Sequence, residues 1–358
     1  MAEYKREANT LYPSQGSSLS AYDNAGFEVI SYCEKENIYG PFSRIMKANK
    51  YEQRKDITDV EGAKFADQFE HLREKDKKSF VAVIHVDGNR LGQKISNALR
   101  NKRNLKEEML QFCCSSLQID KLFKETLDET IRINFRNELA KGESLPFRPI
   151  VRDGDDITLI VKADRAFAFI QVYMEQLAEK QVSKEYIHLK ENIGNISATA
   201  GAVFVRDTFP FDEAYDLAEQ LCKAGKAKLA DEGRDVSCMD YHILREGLTG
   251  SVREYRQAHY QIAGGQLHIR PYLFTDSGED SYDSFLHLRN ALTASEIARN
   301  KLKALRNAYS ESVQEAEYTY RTILSRHKNG IDHQKNAFVD KNGKKRAVFF
   351  DVLDVMDI

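Results

Sequence analysis

Nowhere along the 358 residues does an apolar run approach the ~18–20 needed to cross a bilayer. The opening segment, Met1–Ser20, is polar and lacks the apolar stretch of a secretion signal. Cysteine is scarce and unpatterned: Cys33, Cys113, Cys114, Cys222 and Cys238 are odd in number and form no C-x-x-C pair. That spacing speaks against a disulfide framework or a zinc ribbon, and a reducing cytoplasm is the expected compartment. Charge of one sign is also missing. The 53 Lys and Arg against 55 Asp and Glu leave a net charge of −2. Affinity for a nucleic-acid backbone comes largely from phosphate neutralisation, so stable nucleic-acid binding is not favoured. The short basic clusters Lys75–Lys78 and Lys341–Arg346 read as solvated surface, and a small anionic ligand suits this balance better. Low-complexity tracts and long-period repeats are absent too. What remains, 42% hydrophobic and 30% charged residues, is the composition of an ordinary folded chain with room for more than one unit.

Three segments follow from the patterning. Residues 1–78 look irregular, with Phe27–Tyr32 a plausible strand and a helical stretch expected from Asp59 onward. Residues 79–246 alternate strands and helices. Phe80–Val86 is a nearly continuous β-branched run, as in a strand buried on both faces. Leu105–Leu139 carries apolar residues at three- and four-residue spacing, predicting one long helix or two short ones. Pro146–Arg152 and Ile157–Val161 form a hairpin around an acidic turn, Asp153–Asp156. Asp164 is placed to cap a helix over Arg165–Glu179. A strand over Ile196–Val205, a helix over Pro210–Glu232 and a strand over Val236–Leu244 complete the order β-α-α-β-β-α-β-α-β. The fold class expected is α+β, a sandwich with a mainly antiparallel sheet and helices on one face. Residues 247–358 are expected to form a mainly helical C-terminal domain, with helices between Asp280 and Arg326 and a charged loop over Lys328–Arg346.

Asp87 ends the first core strand, and Asp155 and Asp156 sit at the hairpin tip. In a β-α-β-β arrangement that strand and the hairpin are neighbours, so the three carboxylates converge. Like charges so placed repel unless a divalent cation neutralises them, and magnesium (or manganese) takes oxygen ligands of this kind. A D-G-D-D turn alone, or a D-G-N turn alone, is more often a solvated β-turn; the pair together, on strands in this order, reads as a metal site. Gly88 and Gly92 flank the first helix start, where backbone amides approach phosphate oxygens. Asn89 there either bonds a ribose or base or caps the helix. His85, inside the apolar strand, reads as a core histidine.

The segments VIHVDGNRLG, VRDGDDITLIV, SATAGAVFV and AYDLAEQLCKAGK resemble the GGDEF/palm superfamily, above all the second palm of the large polymerase-like subunit of type III CRISPR complexes and its stand-alone relatives. HIRPYLF, SEIARNKLKALRNAY and FFDVLDVMDI are similar to the helical segment that follows that palm. The resemblance implies a ferredoxin-like palm and a nucleotidyltransferase using ATP and magnesium to make a cyclic or linear oligonucleotide signal, in an antiviral setting. It implies metal ligation by Asp87, the Gly88 carbonyl, Asp155 and Asp156. Nucleotide contacts are implied at Gly88, Asn89, Arg90, Gly92, Gly154, Ser197, Lys223 and Lys226, with Lys226 at the position of the family's triphosphate-neutralising lysine. An exposed helix lysine and a plain sheet serine are the ordinary readings of Lys226 and Ser197. The first glycine of the family's GGDD hairpin is Asp153 here. That extra charge keeps open a second reading, a catalytically weak palm that binds nucleotide as a sensor or scaffold. Since one palm holds one triphosphate and the chemistry joins two nucleotides, a homodimer or a partner palm is expected.

Overall fold

A computed structural model describes residues 58–66, 72, 80–100, 105–245, 250–263, 265–275, 277–326, 336–341 and 344–356. The strand expected over Phe27–Tyr32 lies outside the described residues. Residues 58–63 are loop leading into the two-residue strand β1 (Lys64–Phe65), so no helix begins at Asp59.

The centre of the chain runs β2 (Phe80–Gly88), α1 (Leu91–Leu99), α2 (Leu105–Asn134), α3 (Arg136–Lys141), β3 (Ser144–Leu145), β4 (Phe147–Asp153), β5 (Asp156–Lys162), α4 (Ala163–Lys180), α5 (Ile187–Ile193), β6 (Ala198–Arg206), α6 (Phe211–Asp231) and β7 (Cys238–Ile243). Beyond it come α7 (Val252–His259), β8 (Gln261–Ile262), β9 (Gly265–Gln266), β10 (Tyr272–Leu273), α8 (Tyr282–Ala294), α9 (Arg299–Glu311), α10 (Val313–Arg326), β11 (Phe338–Lys341), β12 (Lys344–Ala347) and α11 (Phe350–Val355). Among the described residues no helix is long and apolar enough to cross a membrane.

A six-stranded sheet, ordered β10-β7-β6-β2-β5-β4, organises the molecule. All its pairings are antiparallel except β6 with β7. The α+β architecture and the mainly antiparallel sheet agree with the sequence reading. The helices do not lie on one face as expected. Side chains alternate along β2: Ala82, Ile84 and Val86 enter the large core with α2 and α4, while Val81 and Val83 pack with Ala214, Leu217, Ala218 and Leu221 of α6. Both faces are covered, which is what the unbroken apolar run of β2 demands.

The sixth strand, β10, comes from the segment read as a separate C-terminal domain. It pairs with β7 through Tyr272↔Met239 and Leu273↔Cys238. The stretch Lys328–Arg346, expected as loop, forms the β11–β12 hairpin over its described part. Asp164 does not cap α4; the chain enters that helix at Lys162, and Asp164 sits in the first turn.

One residue sets how closely α6 lies on the sheet. A Cβ at Gly201 would fall 2.0 Å from the Ala218 carbonyl oxygen and 2.6 Å from the Cys222 nitrogen. Backbone has nowhere to retreat, so Gly201→Ala must lift the helix off β6. We expect it to cost about 1–3 kcal/mol or more, read as a fall in urea midpoint with the slope unchanged; an unaltered midpoint would show the contact to be looser than described.

Candidate active site

The face of the sheet beneath α6 gathers the acidic residues singled out in the sequence. His85 and Asp87 project from β2 on that face, opposite Thr158 of β5 and opposite Gly201 and Thr199 of β6. Asp156 follows by the same alternation on β5, two residues before Thr158. The hairpin tip is a two-residue turn at Gly154–Asp155, with Asp153 and Asp156 paired across it. Only Gly154 has positive φ (+63°), the pattern of a type II′ turn, in which glycine is favoured at the first central position. Asp153 is therefore the last residue of an ordinary strand and needs no left-handed backbone. Its effect on the hairpin is electrostatic, not conformational.

The tip reaches the end of β2. Asp155 Oδ2 lies 2.7 Å from where a Cβ on Gly88 would stand, so the absence of a side chain at Gly88 admits that carboxylate. Lys226 of α6 bridges the same point, with Nζ 2.5 Å from Asp87 Oδ2 and donating to the Gly88 carbonyl at 2.7 Å. Asp87, Gly88, Asp155, Asp156 and Lys226 thus form one constellation. Asp155 is raised to about 6, first by burial and then by Asp87. Asp156 is also raised to about 6, by burial, Asp87 and the facing Asp153. Asp156 Oδ1 is buried without a hydrogen bond, and His85 Nδ1 lies 3.4 Å from it.

These features fit a divalent cation. The donors are hard oxygens, one is buried and unsatisfied, and a single ammonium offsets three acids. The sign of the pH effect follows. Both carboxyls hold a proton in the folded protein over a range where an unfolded carboxylate, near 3.8, has lost it. Folding stability without metal therefore falls as pH rises through that window, up to about 6. Melting of the metal-free protein at about pH 5 and about pH 7 should show this fall, with magnesium stabilising more at the higher pH. Equal magnesium stabilisation at both would count against the clustered acids.

The remaining residues fall into two groups. Asn89 is buried and bonded within the protein: its amide donates to Ser197 Oγ at 3.0 Å and to the Val236 carbonyl at 3.1 Å, while its oxygen accepts from Thr199 Oγ1 at 2.7 Å. Ser197 Oγ in turn donates to Asp235. This network pins the turn after β2 to the β6 and β7 entries and presents neither side chain to solvent. Arg90 holds a left-handed backbone (φ 54°) at the N-terminus of α1, and its guanidinium donates to the Arg234 carbonyl at 2.7 Å. A non-glycine residue in that region stores strain of the kind that accumulates at functional turns. Gly92 lies in the first turn of the same helix, half-buried. Lys223 points outward and pairs with Glu219 at 2.8 Å, apart from the acid cluster.

Residues 80–237 match the family model described as Cas10/Cmr2, second palm domain. This stretch is similar to a Cas10/Cmr2-type palm. No curated protein matches the chain. Among solved structures it is similar to Csm1 of T. onnurineus, at 16% identity and a TM-score of 0.47 over 82% of this chain and 40% of that one. It is also similar to the apo Csm1–Csm4 cassette (16%, TM-score 0.44, 81% and 38%) and to that cassette in complex with one ATP (15%, TM-score 0.43, 81% and 37%). The chain spans about two fifths of the length of these proteins.

Two neighbours of the palm's acid cluster carried little signal in the sequence. His85, a core histidine by pattern, is indeed buried, but its Nδ1 faces Thr158 Oγ1 at 3.1 Å beside Asp156. Burial lowers its pKa. Cys222, one turn before Lys226, lies with His85 and Asp87 so that one ligand atom from each falls within 4.8 Å of the others. Only the alternation of β2 and the i, i+4 step to Lys226 hinted at either.

Proposed function

We propose that this chain is a metal-dependent nucleotidyltransferase that joins nucleotides from ATP into a cyclic or linear oligonucleotide, in the setting of antiviral signalling. The convergence of Asp87, Asp155 and Asp156 around Lys226, within a palm of this family, carries the reading. Asp87, Asp155, Asp156 and the Gly88 carbonyl would hold magnesium, which when bound supplies charge neutralisation for an attacking ribose hydroxyl and a departing pyrophosphate. Lys226, paired with Asp87, offsets part of this acidic charge and would be placed to turn to the triphosphate of a bound nucleotide. The N-terminus of α1, opened by Gly88 and Gly92, offers amides to phosphate oxygens, with Arg90 beside it. Asn89 and Ser197 act by fixing that turn, Gly154 by shaping the hairpin tip, and Lys223 by adding positive potential at the rim. Catalysis here is positioning and electrostatics and uses no protein nucleophile. A second palm, from another copy of the chain or from a partner, brings the second nucleotide.

Incubation with each nucleoside triphosphate and magnesium or manganese, followed by mass spectrometry, tests this. Oligoadenylate from ATP with pyrophosphate release is the expected result. Tight, magnesium-dependent ATP binding without pyrophosphate release would select the second reading, a palm that senses nucleotide without turnover. That reading is favoured by one observation, the facing of Asp153 on Asp156, which raises the proton affinity of a metal ligand.

A further inference from the structure

The donor set beneath α6 is mixed in a way that magnesium does not use. His85, Asp87 and Cys222 offer a nitrogen, an oxygen and a sulfur, all within 4.8 Å of one another, and both His85 and Cys222 are buried. Soft and borderline cations take such sets, usually as a tetrahedron. Ligand atoms around zinc stand roughly 3.5 Å apart, so the trio closes on an ion with side-chain movements of about 1 Å.

Two further features suit the assignment. The Nδ1 of His85 faces Thr158 Oγ1 and Asp156 Oδ1, which leaves Nε2 for an ion and provides the outer-shell partner that a metal-bound imidazole ordinarily has. The close seat of α6 over Gly201, the residue opposite His85, brings Cys222 down onto this pair. Opposing these is Lys226, whose ammonium holds Asp87 Oδ2 and must swing aside. Asp156 and Glu219 stand near and favour a cation beside His85, while Lys223, paired with Glu219 at 2.8 Å, opposes one.

We propose that His85, Asp87 and Cys222 form a binding site for a soft divalent cation of the zinc or cobalt type, with solvent completing the shell. The site shares Asp87 with the magnesium position proposed above, so the two ions exclude one another there. On binding, the Cys222 thiol forms its bond to the cation and releases its proton to solvent.

Cobalt(II) is the probe, because thiolate ligation produces a sulfur-to-metal charge-transfer band that oxygen and nitrogen ligands do not. Titrating the full-length chain with Co²⁺ should give this band at one equivalent. The double variant Cys113→Ser/Cys114→Ser should retain it, Cys222→Ser should lose it, and His85→Gln should weaken binding at least ~10–100-fold. No band in the wild-type chain, a band that survives Cys222→Ser, or one lost with Cys113 and Cys114 would overturn the site. Should Cys222→Ser fail to fold, X-ray absorption at the zinc edge on the wild-type chain reads the shell directly. One sulfur supports the assignment, and a shell of light atoms alone overturns it. Excess magnesium should raise the apparent Co²⁺ dissociation constant. A band that magnesium leaves unchanged still supports the soft-metal site and counts only against the magnesium reading of Asp87.

Discussion

Asp155→Asn is expected to abolish product formation and, at the same time, to raise the melting temperature of the metal-free protein. The two effects have one cause. Asp155 sits against Asp87 at the end of β2, where burial and that neighbour hold its proton up to about 6. At neutral pH the ionised group costs the fold electrostatic energy unless a cation is present. The neutral amide keeps the shape and removes the repulsion, for a gain of roughly 2–4 °C, about 1 kcal/mol after allowance for solvent screening. The amide also removes one anionic ligand, so turnover should fall by at least ~10²–10³-fold, the scale of losing one preorganised electrostatic group. Magnesium should then stabilise the variant less than the parent. A variant that is both inactive and less stable would instead mark Asp155 as a structural residue, and an active one would remove it from the chemistry. Asp87→Asn differs in a useful way. It frees Lys226 from its ion pair, so the stability gain should be smaller while the loss of activity is as large.

Much of this site is legible in the sequence because short-range rules specify it. An apolar β-branched run ending in Asp-Gly, and a hairpin whose turn needs one glycine at Gly154, place three acids before any tertiary fact is known. The parity of β2 even assigns Asp87 to one face with His85. What the sequence hides depends on contacts between distant segments. Gly201 is one more small residue in a strand until α6 is seen resting on it. Cys222 has no meaning as a donor until that contact lowers it beside His85. Asn89 reads equally well as a nucleotide contact or a helix cap; it caps no helix, and only the positions of Ser197, Thr199 and Val236, more than a hundred residues on, reveal the bonds that hold it within the protein. The two-residue strand β10 is too short to carry a period and is recruited by pairing with β7.

Recruitment of β10 leads to the second large effect, at Asp351→Ala. Asp351 and Arg270 are both fully enclosed, with Arg270 Nε 3.0 Å from Asp351 Oδ1. The other carboxylate oxygen accepts from the amides of Ile269 and Arg270 and from the Tyr272 hydroxyl. Arg270 also donates to the Tyr241 carbonyl at 2.6 Å and lies over the Tyr241 ring at 4.0 Å, which ties β10 and α11 to β7 of the palm. Removing the carboxylate leaves the buried guanidinium with the Tyr241 carbonyl and, for counter-charge, Asp354 at 3.5 Å, itself already shared with Arg306. Breaking such a pair from one side costs ~3–5 kcal/mol, because the remaining charge stays desolvated. Replacing the pair by apolar groups of similar size, Asp351→Leu with Arg270→Met, should cost markedly less than Asp351→Ala, since no orphan charge remains. The same geometry predicts that a chain truncated after Arg245 will not melt cooperatively. It would lack β10 and would bare Tyr241, whose hydroxyl bonds the Asp351 carbonyl and whose ring packs on Phe167 and Phe285. A sharp calorimetric transition for the truncated chain would show that the palm closes its own sheet and that the boundary near residue 246 divides two independent domains; a broad or absent one would show that the C-terminal segment is part of the palm.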